Sequence, residues 1–306
     1  MSNVTLRNDT ELLRQIAGWQ ADYKPGERLA DYASLGVGGE ADLIVLRDHA
    51  ALEPLAAALR ERGIAWQLIG GGTNILPVDE PFTRVFLHLA PSKNDVTIEG
   101  RNVSVSAAAS LGRTVTYCAK NNLGGIEGLA GVPGSVGGAL RMNAGAYGTQ
   151  IGAVVRSVTV FRGVSGKIEE LTADRIGFQY RHSSFAPDDV MLAVRLELNE
   201  RPFAEIMEDI KRCNEKRRTS QPVKEKSAGC IFKNPPGLST GKLIDDLGLK
   251  GFREGGAVIS ERHANFIVNR DHATAADIFR LMDRIRDTIR KAHGIELEEE
   301  VIVWKN

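Results

Sequence analysis

The chemistry in this 306-residue chain first shows in its clustered glycines. "LIGGGTNIL" (68–76) continues an apolar run. Gly70, Gly71 and Gly72 remove side chains, so backbone N–H groups can approach a ligand, and Thr73 and Asn74 add short polar groups. Such a donor set suits a diphosphate. The stretch has neither the GK[ST] ending of an NTP-hydrolysing loop nor GxGxxG spacing, and a plain strand-to-turn junction remains open. "GGIEGLAGVPGSVGGALRMNAGAYG" (124–148) is almost free of charge but holds Leu129, Val132, Val136 and Leu140, unlike a flexible linker. It reads either as a second wall of backbone donors facing the first across a long, thin ligand, or as tight turns around a small-residue helix. In "KSAGCIFKNP" (226–235) Cys230 sits in a small-residue turn, where a thiol can be a packed core atom, a metal ligand or a reacting group.

Composition narrows the setting. Lys plus Arg (39) balances Asp plus Glu (39), so no basic face for nucleic acid is implied. The first fifteen residues carry no apolar run, so neither a signal peptide nor an anchor is expected, and no stretch approaches a membrane span. Cys118, Cys213 and Cys230 are odd in number, far apart and without a CxxC pair, which points to a reducing cytoplasm rather than a zinc site or disulfide frame. The histidines form no HxH or HExxH set, so no metal is expected.

The positioning elements follow from pattern. "ADLIVL" (41–46) is a buried strand, Asp48 caps the helix that follows, Gly63 stops it, and "WQLIG" (66–70) completes a βαβ unit. "RVFLHL" and "NVSVSAA" are strands, and Ser110 opens a helix to about Asn122. "VVRSVTVFR" and "KIEEL" flank a hairpin turn at 163–166, and Val190, Leu192, Val194, Leu196 and Leu198 alternate as in a half-buried strand. Phe203, Ile206, Met207, Ile210 and Cys213 share one helical face. Thr274 and Asp277 form a capping box before the stripe Ile278, Met282, Ile285, Ile289 and Ala292, which Gly294 ends. "GAVIS", "ANFIVN" and "EVIVW" are further strands. The layout is α+β, with units expected at 1–100, 101–199 and 200–306.

At this point the chain resembles a known family. "LGVGGEADLIV", "GGGTNIL", "GLAGVPGSVGGALRMNAGAYG", "FQYRHSSF", "SAGCIFKNP" and "IELEEEV" occur in order from about residue 20 to 304. Together they are similar to the UDP-N-acetylenolpyruvoylglucosamine reductases (UDP-N-acetylmuramate dehydrogenases), flavoproteins of bacterial cell-wall precursor synthesis. The resemblance implies a vanillyl-alcohol-oxidase-type FAD-binding fold in two sub-domains, 1–100 and 101–199, and a smaller substrate-binding domain at 200–306. It implies that Gly70, Gly71, Gly72, Thr73, Asn74 and Ile75, with Gly131, Pro133, Gly134, Ser135, Gly138, Asn143 and Gly145, enclose the FAD diphosphate and ribityl chain. No nucleophile lies beside the first glycine loop, so FAD is expected without a covalent link.

The implied reaction passes hydride from NADPH to FAD and on to the methylene carbon of UDP-N-acetylglucosamine enolpyruvate, after which the adjacent carbon takes a proton. Such chemistry needs a clamp on the substrate carboxylate and a proton donor. By motif match these are Arg181, whose guanidinium fork suits a carboxylate, and Cys230; Glu300 assists the enol. A surface arginine, a buried structural cysteine and a solvated glutamate run are the plainer alternatives. Cys230 departs from the family pattern, which has serine there; a thiol can still donate the proton and reload it from water. Asn234, Arg217, Arg218 and His263 are candidate substrate contacts, against a basic helix end and a core histidine as alternatives. Only "SSFAPDD" separates Arg181-His182 from the strand at Val190, so the chain resembles the shorter group, which lacks a substrate-closing tyrosine loop. The resemblance also implies a cytoplasmic bacterial enzyme serving peptidoglycan synthesis, cell shape, the cell cycle and division, with no protein partner. An alcohol or sugar oxidase of the same fold, and a flavin-binding module without catalysis, are the competing readings.

Overall fold

Glu40–Leu46 and Trp66–Leu68 are parallel strands, and each pairs with Val85–Leu89, which lies between them. The expected βαβ unit is therefore present with a third strand inserted into its middle. In the computed structural model, which describes residues 6–92 and 95–306, the Asp48 carboxylate accepts the Ala50 N–H at 2.9 Å and opens the turn leading into the helix Leu52–Glu61. Gly63, at φ +65°, terminates that helix through a 3.0 Å bond to the Arg60 carbonyl. Leu52, Leu55, Ala56 and Leu59 bury against Ile44, Leu46, Val85 and Leu87. Leu12 and Ile16, from a helix capped by Asp9, join the same cluster.

A five-stranded antiparallel sheet follows, in the order Lys167–Thr172, Val155–Arg162, Val190–Glu197, Asn102–Ser106, Val96–Glu99. Val103, Val105, Val158 and Val194 bury against Leu111, Val115 and Cys118 of the helix Leu111–Lys120 and against Val136 and Leu140. The simple alternation expected from 190 to 198 does not hold. Register shifts between Thr159 and Val160, opposite Ala193 and Met191, mark a β-bulge. Across it Val190 and Leu192 pack into the first cluster, while Met191, Val194 and Leu196 pack into the second.

The chain forms two compact units, each built from separate stretches of sequence. One unit takes residues up to 26, 42–71 and 83–214; the other takes 27–41, 72–82 and 215–306. The reason in the second unit is backbone pairing: Ile302–Trp304 runs parallel to Ile75–Pro77. This unit also holds the antiparallel sheet Lys226–Ser227, Ile267–Asn269, Ala257–Ile259, Arg253–Glu254. The helix Ala275–His293 has the expected Thr274/Asp277 capping box and ends at Gly294 with φ +67°. Ile278, Leu281, Met282, Ile285 and Ile289 are its buried stripe; Ala292, expected on it, is exposed in the last turn. The stripe of Phe203–Ser220 is also narrower than expected, with only Ile206 and Ile210 fully buried, Cys213 half-buried and Phe203 exposed. Among the described residues no helix is long and apolar enough to cross a membrane.

Candidate active site

In the first unit the two glycine-rich loops meet backbone to backbone. A Cβ built on Gly71 would lie 2.7 Å from Gly134 Cα and 3.2 Å from the Ser135 nitrogen, and one on Gly70 would lie 3.0 Å from Ser135 Oγ. Only glycine permits that approach without displacing main chain. Gly134, at φ +112°, accepts the Leu111 N–H at 3.0 Å, fixing the second loop to the start of its helix. Ser135 caps the short helix Val136–Arg141 by accepting the Gly138 N–H at 3.2 Å. Gly131 and Pro133 lie in the turn just before, with Pro133 exposed. These residues bring polar main chain and no carboxylate side chain to the meeting point, a donor set that fits the diphosphate of FAD.

Arg181 belongs to the same unit and sits at a strained position. Gln179 and His182 exchange backbone hydrogen bonds at 3.0 and 3.2 Å, leaving Tyr180 and Arg181 at the tip of a two-residue turn. Arg181 has φ +53°, in the left-handed region that a side chain rarely adopts. Its Nη1 donates to the Gly145 carbonyl at 3.0 Å. Asn143, buried and itself at φ +41°, supports this turn: its Nδ2 donates to the Gln179 carbonyl at 2.8 Å and its Oδ1 accepts the Gly152 N–H at 3.0 Å. The Asn143 amide is thus committed within the unit. Arg141, which sequence reasoning missed, anchors the segment after Arg181 by donating to the carbonyls of Phe185, Ala186 and Asp189 at 3.1, 2.6 and 2.5 Å. Burial pulls its guanidinium below the usual arginine range, partly offset by Asp189 and Asp188.

In the second unit Cys230 and Glu300 stand on paired backbone. The Ile231 carbonyl accepts the Glu300 N–H at 2.8 Å, and Phe232 bridges Glu299 in antiparallel fashion. Asn74 belongs to this unit and bonds to the same backbone, its Nδ2 donating to the Glu300 carbonyl at 2.9 Å and its own carbonyl accepting the Ile302 N–H at 3.0 Å. Gly72, at φ +63°, lies so close to the Tyr32 carbonyl that a Cβ would stand 1.8 Å from that oxygen. Thr73 is half-buried between them, and Ile75 is buried in the parallel pairing with Ile302. Both Cys230 and Glu300 are half-buried.

Asn234 is exposed, and its Oδ1 accepts the N–H of the buried Thr240 at 3.0 Å, fixing the start of the helix Thr240–Asp246. His263 packs on Phe266 with ring centroids 4.8 Å apart, and its Nδ1 accepts the Asn265 N–H at 3.3 Å. Burial pushes its pKa down, so the ring is neutral, as in the core-histidine alternative. Arg217 and Arg218 occupy the last turn of Phe203–Ser220, where cations complement the helix dipole. Among the described residues no cluster of three His, Cys, Asp or Glu side chains could hold a metal ion. Cys118 is fully buried, and burial pushes its thiol up to about 12, well removed from reactivity.

A mixed sheet-and-helix unit with two apposed glycine loops defines a class first, that of FAD-binding proteins, and a family model described as an FAD binding domain matches residues 42–172. A second model, the C-terminal domain of UDP-N-acetylenolpyruvoylglucosamine reductase, matches residues 221–304. UDP-N-acetylenolpyruvoylglucosamine reductase from Heliobacterium modesticaldum is 37% identical over 299 residues, covering 96% of this chain and 93% of its own. That of Fervidobacterium nodosum is 35% identical over 310 residues, covering 100% and 99%. The crystal structure of the Thermus caldophilus enzyme superposes with a TM-score of 0.80 at 37% identity, covering 93% of this chain and 99% of its own. The chain belongs to the UDP-N-acetylenolpyruvoylglucosamine reductase family.

Proposed function

We propose that this chain is an FAD-dependent oxidoreductase that uses NADPH to reduce the enolpyruvyl ether of UDP-N-acetylglucosamine to UDP-N-acetylmuramate. The observation that carries the reading is the backbone pairing beside Cys230, where the Ile231 carbonyl accepts the Glu300 N–H and Phe232 bridges Glu299, so that the thiol and the carboxylate belong to paired segments of one unit. Gly70, Gly71, Gly131, Pro133, Gly134, Ser135, Gly138 and Gly145, with Gly72, Thr73, Asn74 and Ile75, hold FAD through main chain and short polar groups; Asn143 acts beside them through its backbone. Bound FAD supplies the hydride carrier between NADPH and the enolpyruvyl methylene carbon.

The protein's own groups do the rest. Arg181 binds the substrate carboxylate, where negative charge accumulates as the double bond is reduced. Cys230 gives its proton to the adjacent carbon: the S–H bond breaks, a C–H bond forms, and the thiolate takes a proton back from water. Glu300 hydrogen-bonds the enol oxygen system and steadies it until that proton arrives. Asn234, Arg217, Arg218 and His263 remain proposed substrate contacts; Asn234 is exposed, which supports that reading for it. In functional terms residues 1–100 and 101–199 serve FAD and residues 200–306 serve the nucleotide substrate. The finer reading is a bacterial cytoplasmic enzyme whose product feeds the cell wall, and through it cell shape, the cell cycle and division, acting without metal or protein partner.

The experiment is an absorbance spectrum of the purified protein, followed by anaerobic NADPH and then the enolpyruvyl substrate. The proposal requires a flavin spectrum that NADPH bleaches and the substrate restores. Bleaching with no recovery on substrate addition, together with oxygen uptake on an alcohol or sugar, would replace the proposal with an oxidase of the same fold. A flavin that NADPH does not bleach would leave only a binding module.

A further inference from the structure

Asn265 is buried and makes four hydrogen bonds, three of them to the two residues that follow Cys230. Its Oδ1 accepts the Phe232 N–H at 3.1 Å, its Nδ2 donates to the Phe232 carbonyl at 2.7 Å, and its own carbonyl accepts the Ile231 N–H at 2.8 Å. Its backbone N–H is the donor to His263 Nδ1. The amide therefore imitates one rung of a β-ladder, where no strand runs. On the other edge of the same two residues, the Ile231 carbonyl accepts from Glu300 and the Lys233 N–H donates to the Glu298 carbonyl at 2.8 Å. The segment that follows Cys230 is thereby clamped between Asn265 and the extended backbone of residues 298–300. Gly229, immediately before Cys230, has φ +79°, so the chain enters the clamp through a left-handed position that favours glycine.

Resting on the proton-donor reading of Cys230, we infer that Asn265 is the positioning residue for its thiol, and that His263 acts as the neutral brace behind Asn265. The carboxamide satisfies both Phe232 backbone groups at once, its oxygen accepting and its nitrogen donating. An aspartate has the same shape but cannot donate to the Phe232 carbonyl, which would face a carboxylate instead. A segment freed on one edge lets the thiol drift, and a displacement of about 1 Å costs a reacting group about 10²-fold in rate.

The test is a double-mutant cycle on the FAD-loaded enzyme, with Asn265→Asp, Asn265→Ser, Cys230→Ala and the two pairwise combinations. The readouts are the rate of flavin reduction by NADPH, the rate of reoxidation by the enolpyruvyl substrate, and the KM for that substrate. Each single Asn265 variant should keep NADPH reduction near the wild-type rate and lose about 10²-fold in reoxidation with little change in KM. In the Cys230→Ala background either Asn265 change should cost nothing further, because the group it positions is gone. A multiplied loss in the double variants would overturn the inference and make Asn265 a general structural residue. Wild-type reoxidation in both single Asn265 variants would also overturn it. If one variant does not fold, the other carries the cycle; if neither folds, alkylation of Cys230 by iodoacetamide in a His263→Ala protein replaces it. There, a rate unchanged from wild type sinks the inference. Wild-type reoxidation by Cys230→Ala alone would instead sink the parent reading, a separable result.

Discussion

Gly71→Ala tests the apposed glycine loops most sharply. Gly71 does not occupy the left-handed region, so the added methyl costs nothing in backbone conformation; its whole effect is close approach. The new Cβ would stand 2.7 Å from Gly134 Cα, where ordinary contact begins at 3.4 Å, and its neighbours are main chain that cannot rotate away. The loops must part by about 0.7 Å, and overpacking of this kind costs about 1–3 kcal/mol. Taken out of FAD affinity, that is roughly 5- to 150-fold in Kd. Gly70→Ala is the control, because its Cβ meets only the Ser135 hydroxyl at 3.0 Å. That oxygen can move, so the effect should stay within about 0.5 kcal/mol, close to twofold. Titrating FAD into the apoprotein by flavin fluorescence measures both constants. The same FAD affinity in Gly71→Ala and wild type would refute the claim that this contact shapes the cofactor cradle.

The other expectations concern the reacting groups. Arg181→Ala should weaken substrate binding and slow substrate reduction, whereas Glu300→Gln should mainly lower kcat; stopped-flow traces should show NADPH reducing the flavin normally in both, and equal damage to both half-reactions would refute the assignments. Acid precipitation should release all the yellow colour into the supernatant, since no histidine or cysteine lies in Gly70–Asn74, and colour in the pellet would contradict a non-covalent flavin. Burial holds the Cys118 thiol up near 12, so at neutral pH it stays protonated and Cys118→Ala should leave sensitivity to a thiol-alkylating reagent unchanged, as read by residual activity against time.

How far the sequence foretold this arrangement depends on the range of the interaction involved. The Gly63 stop and the Thr274/Asp277 box are local, decided within four residues, and appear as read, while Asp48 caps the 3-10 turn that leads into the helix rather than the helix itself. The central place of Val85–Leu89 between the strands of the βαβ unit is a pairing choice, invisible to periodicity. The bulge at 191–193 lies in a strand read as alternating, where Met191 and Ala193 are apolar as well, and it is the register of the neighbouring strand that assigns Val190 and Leu192 to one cluster and Met191 to the other. At the site, the glycine motifs and the Cys230 and Glu300 settings were legible because each is contiguous. Asn265 and Arg141 were not, because an asparagine 33 residues from Phe232 and an arginine 44 residues from Phe185 carry no local signature of their bonds. A side chain reaching for someone else's backbone leaves no period in the sequence.

Anaerobic reoxidation kinetics of Cys230→Ala decide whether the Cys230 thiol carries the proton. The variant, once reduced by NADPH at near the wild-type rate, should be reoxidised by the enolpyruvyl substrate about two orders of magnitude or more too slowly. Cys230→Ser should retain substantial activity and lose sensitivity to alkylation, because a hydroxyl in the same place donates the same proton. Reoxidation of Cys230→Ala at the wild-type rate would contradict the account and leave the thiol a packing group.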